Sequence, residues 1–426
     1  MIEEIRNPEH VERARLVVGI PSYNEADTIA HVVQMADAGL RRYYPDYPAV
    51  IVNADNCSPD GTRDVFLQVD TATPKIYVST PQGMKGKGRN IRNLLEVGVE
   101  LRAQAILMLD ADLKSITPEW IEHLIEPLLE GYDFVVPIYL RHKYDGTITN
   151  HIAYPMLRTL YGLRVRQPIG GDFGISNRLA RCYLVEKTWY DDVFEFGIDI
   201  WLTTVAIGRH FQVCQTFLGS AKAHRHKDPA KDLGPMFANV VGTIFQQMVD
   251  FEYLWKGISR SRPSIIYGFG LGQRTTVPEV HIHREGLFQS LQQGFQQYSE
   301  IWQKVLQADN WSAVNQFINQ PCDQFSFASD LWARMIFDFA TAYCAGSIPR
   351  RQLLSAFIPL YHARVLSFFN RTQQMTLAEA EEYLENINRV FEKQKPYLIQ
   401  RWDEMLERKS ILRNSHPISR GQKKRH

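Results

Sequence analysis

Continuous apolar runs alternate with amphipathic stretches through the first half of the chain. Leu16–Ile20 is a buried-strand run closed by Pro21, and Ile29, Val32, Val33 and Met35 then recur at helical spacing, predicting a helix from Glu25. Val50–Val52, Ile76–Val78, Ala105–Leu109, Phe134–Val136 and Val213–Leu218 read as further strands. Helices are expected through Ile91 and Leu94, near Pro118, where proline suits a first helical turn, and at Ile200. Alternation of this kind predicts an α/β fold with a mainly parallel, doubly wound sheet. Ligands of such sheets sit outside the carboxyl ends of the strands, so the polar clusters after each run are where chemistry is sought. Beyond about Asp228 the strand signals fade and helical patterns take over at Phe237–Trp255, Ser329–Tyr343, Gln352–Phe369 and Thr376–Lys395. Pro396 is expected to end or kink the last of them. The stretch 257–285 is richer in Gly, Pro and Ser and reads as a connector or lid, and residues 419–426 as a solvated tail. The change of pattern divides the chain into 1–230 and a mainly helical 231–426.

Composition narrows the class. The 426 residues include 48 Lys+Arg against 47 Asp+Glu, which gives no general attraction to nucleic acid or to an anionic membrane. No apolar stretch reaches the roughly 18 residues of a membrane-spanning helix, and the N-terminus is acidic with no apolar signal core. Five scattered cysteines without a CxxC pair suit reduced thiols, and the expectation is a soluble, cytoplasmic protein.

Asp110-Ala111-Asp112 follows an apolar strand directly. A nucleotide sugar carries a diphosphate whose charge must be neutralised before it can leave, and a carboxylate-held divalent cation does this as a Lewis acid. Alone, the pair reads more simply as two solvated turn aspartates. Pro21-Ser22-Tyr23-Asn24-Glu25 could wrap a nucleoside, or Asn24 could simply cap a helix. Asp55-Asn56 could read a base edge or form an Asx turn. Gly83-Met84-Lys85-Gly86-Lys87-Gly88 opens a helix as a phosphate loop could, but its spacing is not that of a Walker A motif. Gln167-Pro168-Ile169-Gly170-Gly171-Asp172 is a tight turn that could admit a sugar ring. Phe194-Glu195-Phe196-Gly197-Ile198-Asp199 starts a helix, and Ala223-His224-Arg225-His226 follows a strand, where a histidine could be a further metal ligand.

The order PSYNE, DN, GKG, DAD, QPIGG, FGID and KAHR resembles the glycosyltransferases that make mannosylglycerate, glucosylglycerate and glucosyl-3-phosphoglycerate, which are retaining GT-A enzymes. The resemblance spans roughly 16–226 and extends to the helical region at Phe325–Tyr343 and Arg364-Val365-Leu366. It implies a Rossmann-like GT-A catalytic domain over 1–230. Pro21, Tyr23, Asn24, Glu25 and Asn56 would hold the nucleoside, Lys87 the diphosphate and Asp110 the ribose. Asp112 and His224 would bind the metal, which could be Mg2+, Mn2+ or Co2+. Gly170, Gly171 and Asp172 would lie against the transferred sugar, and Asp199 would face the reaction centre. Arg141 and Thr149, with Thr147 in the same stretch, would grip the carboxylate of a small acid acceptor.

Two departures bear on specificity. The phosphoglycerate enzymes carry an arginine in a Gly-Arg-x-Thr stretch, where this chain has Gly146-Thr147-Ile148-Thr149; losing that cation favours a monoanionic acceptor such as glycerate. Phe196 stands where mannosylglycerate synthase has tryptophan. The resulting expectation is transfer of glucose or mannose from a GDP- or UDP-linked donor to D-glycerate, with 3-phosphoglycerate as the runner-up acceptor. An inverting transferase acting on lipid or polysaccharide, or a nucleotide-sugar binder without turnover, are the more distant readings. The helical region could cover the site or form a homodimer.

Overall fold

The computed structural model describes residues 1–223, 234–268, 277 and 279–415. Its strands are β1 Glu4–Arg6, β2 Leu16–Ser22, β3 Ala49–Asp55, β4 Lys75–Ser79, β5 Ala105–Met108, β6 Phe134–Leu140, β7 Leu163–Arg164, β8 Phe173–Ser176, β9 Val213–Ala221, β10 Arg262–Pro263 and β11 Ile265–Tyr267. Among the described residues one nine-stranded sheet runs β1-β4-β3-β2-β5-β8-β6-β9-β11, and β7 and β10 pair as a separate parallel ribbon. The α/β, mainly parallel class read from the sequence is observed. β4, β3, β2 and β5 are mutually parallel, as are β6, β9 and β11, while β8 runs antiparallel to both β5 and β6.

The apolar runs are strands because both faces of the sheet are covered. Along β2 the side chains alternate between two cores: Leu16, Val18 and Ile20 pack toward the helices Ile29–Tyr43 and Glu119–Leu129, and Val17 packs toward Lys87–Glu100 and the later helices. The second core runs on without a break into the helices Gly234–Asp250, Arg284–Val305, Ser329–Ala345, Arg350–Thr372 and Leu377–Ser415. Arg158, fully buried, clasps this region by donating to Glu385 and Glu392 at 2.5 Å each.

Several elements differ from the pattern-based reading. The first helix begins at Ile29, not Glu25, so Asn24 caps nothing; its backbone is left-handed at φ 59°. Pro21 lies within β2, one residue before its end. The last helix runs through Pro396 without stopping, because Phe391, Leu398 and Trp402 on both sides of the proline are buried in the core. The strand signal does not end at 228, since β11 adds to the sheet edge beside β9. Helices Arg284–Val305 and Ala308–Phe317 were not predicted. The tail at 419–426 lies outside the described residues.

Candidate active site

Strand direction brings the polar clusters to one edge. β2, β3, β5, β6 and β9 all end there, and β8, running the other way, begins there, so Asp172 at its start meets Asp110 at the end of β5. These ends enclose a cavity of about 530 Å³. Pro21, Tyr23, Glu25 and Asn56 line one side, with Lys87, Asp110 and Asp112 at its centre. Arg141, Thr147, Thr149, Gly170, Gly171 and Asp199 line the other, and Met236 and Val240 of the helical region close over it. Among the candidates read from the sequence, Asn24 and Asp172 do not line it. His224 lies outside the described residues.

The Tyr23–Asn56 side of the cavity is tied together by amides. Asn56 donates to Asn90 Oδ1 at 2.7 Å and accepts from the Gly86 backbone at 3.0 Å, and Asn90 donates to the Ser22 carbonyl at 2.9 Å. Asp55 is saturated by Ser22, Ser58 and Tyr77 and holds the strand ends rather than facing the cavity. The Lys85 ammonium lies 4.4 Å above the Tyr23 ring. Glycine at 88 is required by packing: a Cβ there would stand 1.9 Å from the Val193 carbonyl oxygen, so the Gly-rich loop docks against the Phe194–Asp199 segment.

At the centre is an alternating charge cluster. Lys87 Nζ bridges Asp110 Oδ1 at 2.9 Å and Asp199 Oδ2 at 3.1 Å. Lys222, which carried no role in the sequence reading, donates to Asp110 Oδ2 at 2.9 Å, Asp172 Oδ2 at 2.8 Å and the Gly170 carbonyl at 2.8 Å. Asp172 is fully buried beneath the cavity, where it also accepts from Tyr139 and from the Asp110 backbone N–H. Burial pushes the Asp110 carboxyl up, but Lys222 and Lys87 outweigh it and hold that carboxyl well below the usual range. Asp172 and Asp199 go the other way, raised chiefly by burial, with Asp110 adding to the effect. Asp199 Oδ1 is buried without a hydrogen-bond partner among the described residues.

Gly171 has φ 88°, and a Cβ there would lie 2.3 Å from Asp110 Oδ2. Gly171→Ala is therefore expected to destabilise the protein by about 1–3 kcal/mol through backbone strain alone. It should also push Asp110 off Lys222, which a denaturant midpoint read beside a turnover assay would separate from strain.

On the opposite side Arg141 donates to Asp145 Oδ2 at 3.0 Å and to Gln167 Oε1 at 3.3 Å, and Thr147 Oγ1 shares a 2.5 Å hydrogen bond with Tyr361 of the helical region. Lys143 caps the helix Arg350–Thr372 through the Thr372 and Met375 carbonyls at 2.8 and 2.6 Å.

Both Asp110 oxygens already hold ammonium groups, whereas half-buried Asp112 makes no hydrogen bond or ion pair with another described residue. No group of three or more His, Cys, Asp or Glu side chains poised for a metal occurs among the described residues. One available carboxylate nevertheless suits a hard cation that takes its other oxygens from a phosphate-bearing ligand and water.

A mainly parallel sheet with an aspartate pair at the end of a central strand and a helical region behind it defines a GT-A fold. Residues 17–189 match the family described as Glycosyl transferase family 2. It is similar to mannosylglycerate synthase of Rhodothermus marinus, 28% identical over 170 residues, covering 38% of this chain and 41% of that protein. It is also similar to glycosyltransferase AglJ of Haloferax volcanii, 33% identical over 117 residues, 27% of this chain and 33% of that one. The matches thus span less than half the length of these curated relatives. Among solved structures, glucosyl-3-phosphoglycerate synthase from Mycobacterium tuberculosis in complex with phosphoglyceric acid is 23% identical with a TM-score of 0.45, covering 55% of this chain and 80% of that chain. No helix among the described residues is long and apolar enough to cross a membrane.

Proposed function

We propose that the protein is a metal-dependent, retaining hexosyltransferase that moves glucose or mannose from a GDP- or UDP-linked donor to the hydroxyl of D-glycerate. The observation that carries this reading is that Asp112, Lys87 and the Arg141–Thr149 stretch line one and the same cavity. Similarity to a mannosylglycerate synthase supports a small hydroxy acid as acceptor.

The nucleoside would rest against Tyr23 and Glu25, with Lys87 turning from Asp110 and Asp199 to the diphosphate. Asp112 and His224 would hold a divalent ion, which when bound supplies Lewis-acid neutralisation of the leaving group. Departure of Lys87 from Asp199 would leave that carboxylate facing the sugar, where it can orient the ring or offset the positive charge of an oxocarbenium-like transition state. Attack by the acceptor hydroxyl from the face the diphosphate leaves gives retention. Arg141 shares its charge with Asp145, so its remaining field suits a carboxylate monoanion better than a phosphate dianion. The domain division at about 230 then separates the donor and acceptor machinery from the helices that roof it.

The test is a donor–acceptor matrix crossing GDP- and UDP-linked glucose and mannose with glycerate, lactate and 3-phosphoglycerate, read by product mass. Glycerate is expected to be the best acceptor; a strong preference for 3-phosphoglycerate overturns the acceptor assignment. Donor binding without product across every acceptor overturns catalysis.

A further inference from the structure

Arg364, in the middle of the helix Arg350–Thr372, is fully buried, and none of its three guanidinium nitrogens has a hydrogen-bond partner among the described residues. His151 is equally buried, with both ring nitrogens in the same state. The two side chains lie in the same part of the core, close enough for the Arg364 charge to act on the imidazole. Phe368, one turn after Arg364, places its ring 4.8 Å from the His151 ring. Arg364 Cζ lies 6.0 Å from the centre of the Phe327 ring, Phe327 contacts Trp332, and Trp332 donates to the His151 carbonyl at 2.9 Å. Tyr383 is the neighbouring side chain that interacts with the guanidinium, and it is a phenol rather than a carboxylate. Arg166 also faces this region, but its charge is committed to Glu381 at 2.7 Å.

A guanidinium cannot shed its proton, so burial cannot neutralise it as it can a lysine or a carboxylate. A charge held in the interior without a counter-charge costs several kcal/mol, and buried polar groups without protein partners call for an ion or ordered water. We propose that Arg364 and His151 together bind a small monovalent inorganic anion of the chloride class inside the protein. One positive charge calls for one negative charge, and complete burial among aromatic rings favours an ion of atomic size over an organic acid. Neutral His151 adds one N–H donor, its ring being kept from protonation by burial and by Arg364. The site joins two parts of the fold. His151 sits in the π-helical turn Thr149–Ala153 that follows the acceptor-side loop, and Tyr361, one turn before Arg364, holds Thr147 of that loop. The bound anion would fasten the acceptor-side loop to the helical region.

The full chain is melted in sodium chloride and in sodium gluconate of equal ionic strength. Chloride alone should raise the midpoint along a saturating curve, by roughly 3 °C at a hundredfold excess over Kd. Arg364→Gln should melt identically in the two salts. Superimposed wild-type curves, or a chloride shift that survives in Arg364→Gln, overturn the proposal. Bromide soaked into crystals of the unaltered protein needs no variant: an anomalous peak within hydrogen-bond reach of the Arg364 guanidinium supports the site, and ordered water with no peak there sinks it.

Discussion

Asp112→Asn is expected to lower sugar transfer by about 10³-fold, roughly 4 kcal/mol of transition-state stabilisation, while leaving thermal stability almost unchanged. The contrast follows from the position of this carboxylate. Asp110 is bound on both oxygens by Lys87 and Lys222, so it holds the fold of the site together. Asp112 has no such partner among the described residues and is half-buried at the cavity wall. Removing its charge breaks no interaction among the described residues, and a surface-like change of this kind stays within about 0.5 kcal/mol. Its loss should be felt only when a diphosphate-bound cation needs a protein ligand. Calorimetric titration of Mn2+ in the presence of the nucleoside diphosphate should accordingly show binding in the wild type and not in the variant. Full turnover of the wild type in excess EDTA, or a variant that binds Mn2+ as well as the parent, removes the metal from the proposed reaction.

The frame of the site was legible because doubly covered parallel strands need unbroken apolar runs. Leu16–Ile20 and Ala105–Leu109 could be little else, and the residues just after them could only lie at the carboxyl edge. β8 was not legible. Its four residues, Phe-Gly-Ile-Ser, are too few to show periodicity, yet its reversed direction is what carries Asp172 under Asp110. Helix Arg284–Val305 was hidden by its composition: glutamines crowd its exposed side, and Gly294, which weakens a helical pattern, is needed because a Cβ there would stand 2.3 Å from Pro359. Lys222 shows the limit most clearly. It stands two residues before His224 in a stretch whose histidine attracted attention, and a lysine after a strand ordinarily reads as solvated. Its role depends on burial created by the Gly170 turn, 52 residues earlier in the chain, and no local pattern reports that.

Lys222→Met should be costly in both stability and rate, and its pH dependence identifies the cause. In the parent protein one buried ammonium sits within 2.9 Å of two carboxylates, and losing it leaves Asp110 and Asp172 as neighbouring like charges. Breaking a buried ion pair from one side costs about 3–5 kcal/mol. The variant can recover part of that by taking up a proton, so Asp172, which burial already raises in the parent, should titrate higher still once Lys222 is gone. A carboxyl whose folded-state pKa is raised binds more protons folded than unfolded, so the variant's stability falls as pH rises through that value. The parent behaves oppositely at Asp110: its depressed carboxyl contributes stability above the unfolded value, lost as pH falls through the folded one. The stability gap between the two proteins should therefore be narrow in acid and widen toward neutral pH, and the acid limb of the variant's activity should move to higher pH. Tyr139→Phe separates charge from packing, because it removes a neutral donor to Asp172 and leaves Lys222 in place. If Lys222→Met and Tyr139→Phe give the same pH-independent loss, the lysine is only a packing element. If the gap widens with pH in Lys222→Met alone, its charge is what keeps Asp110 ionised at the centre of the site.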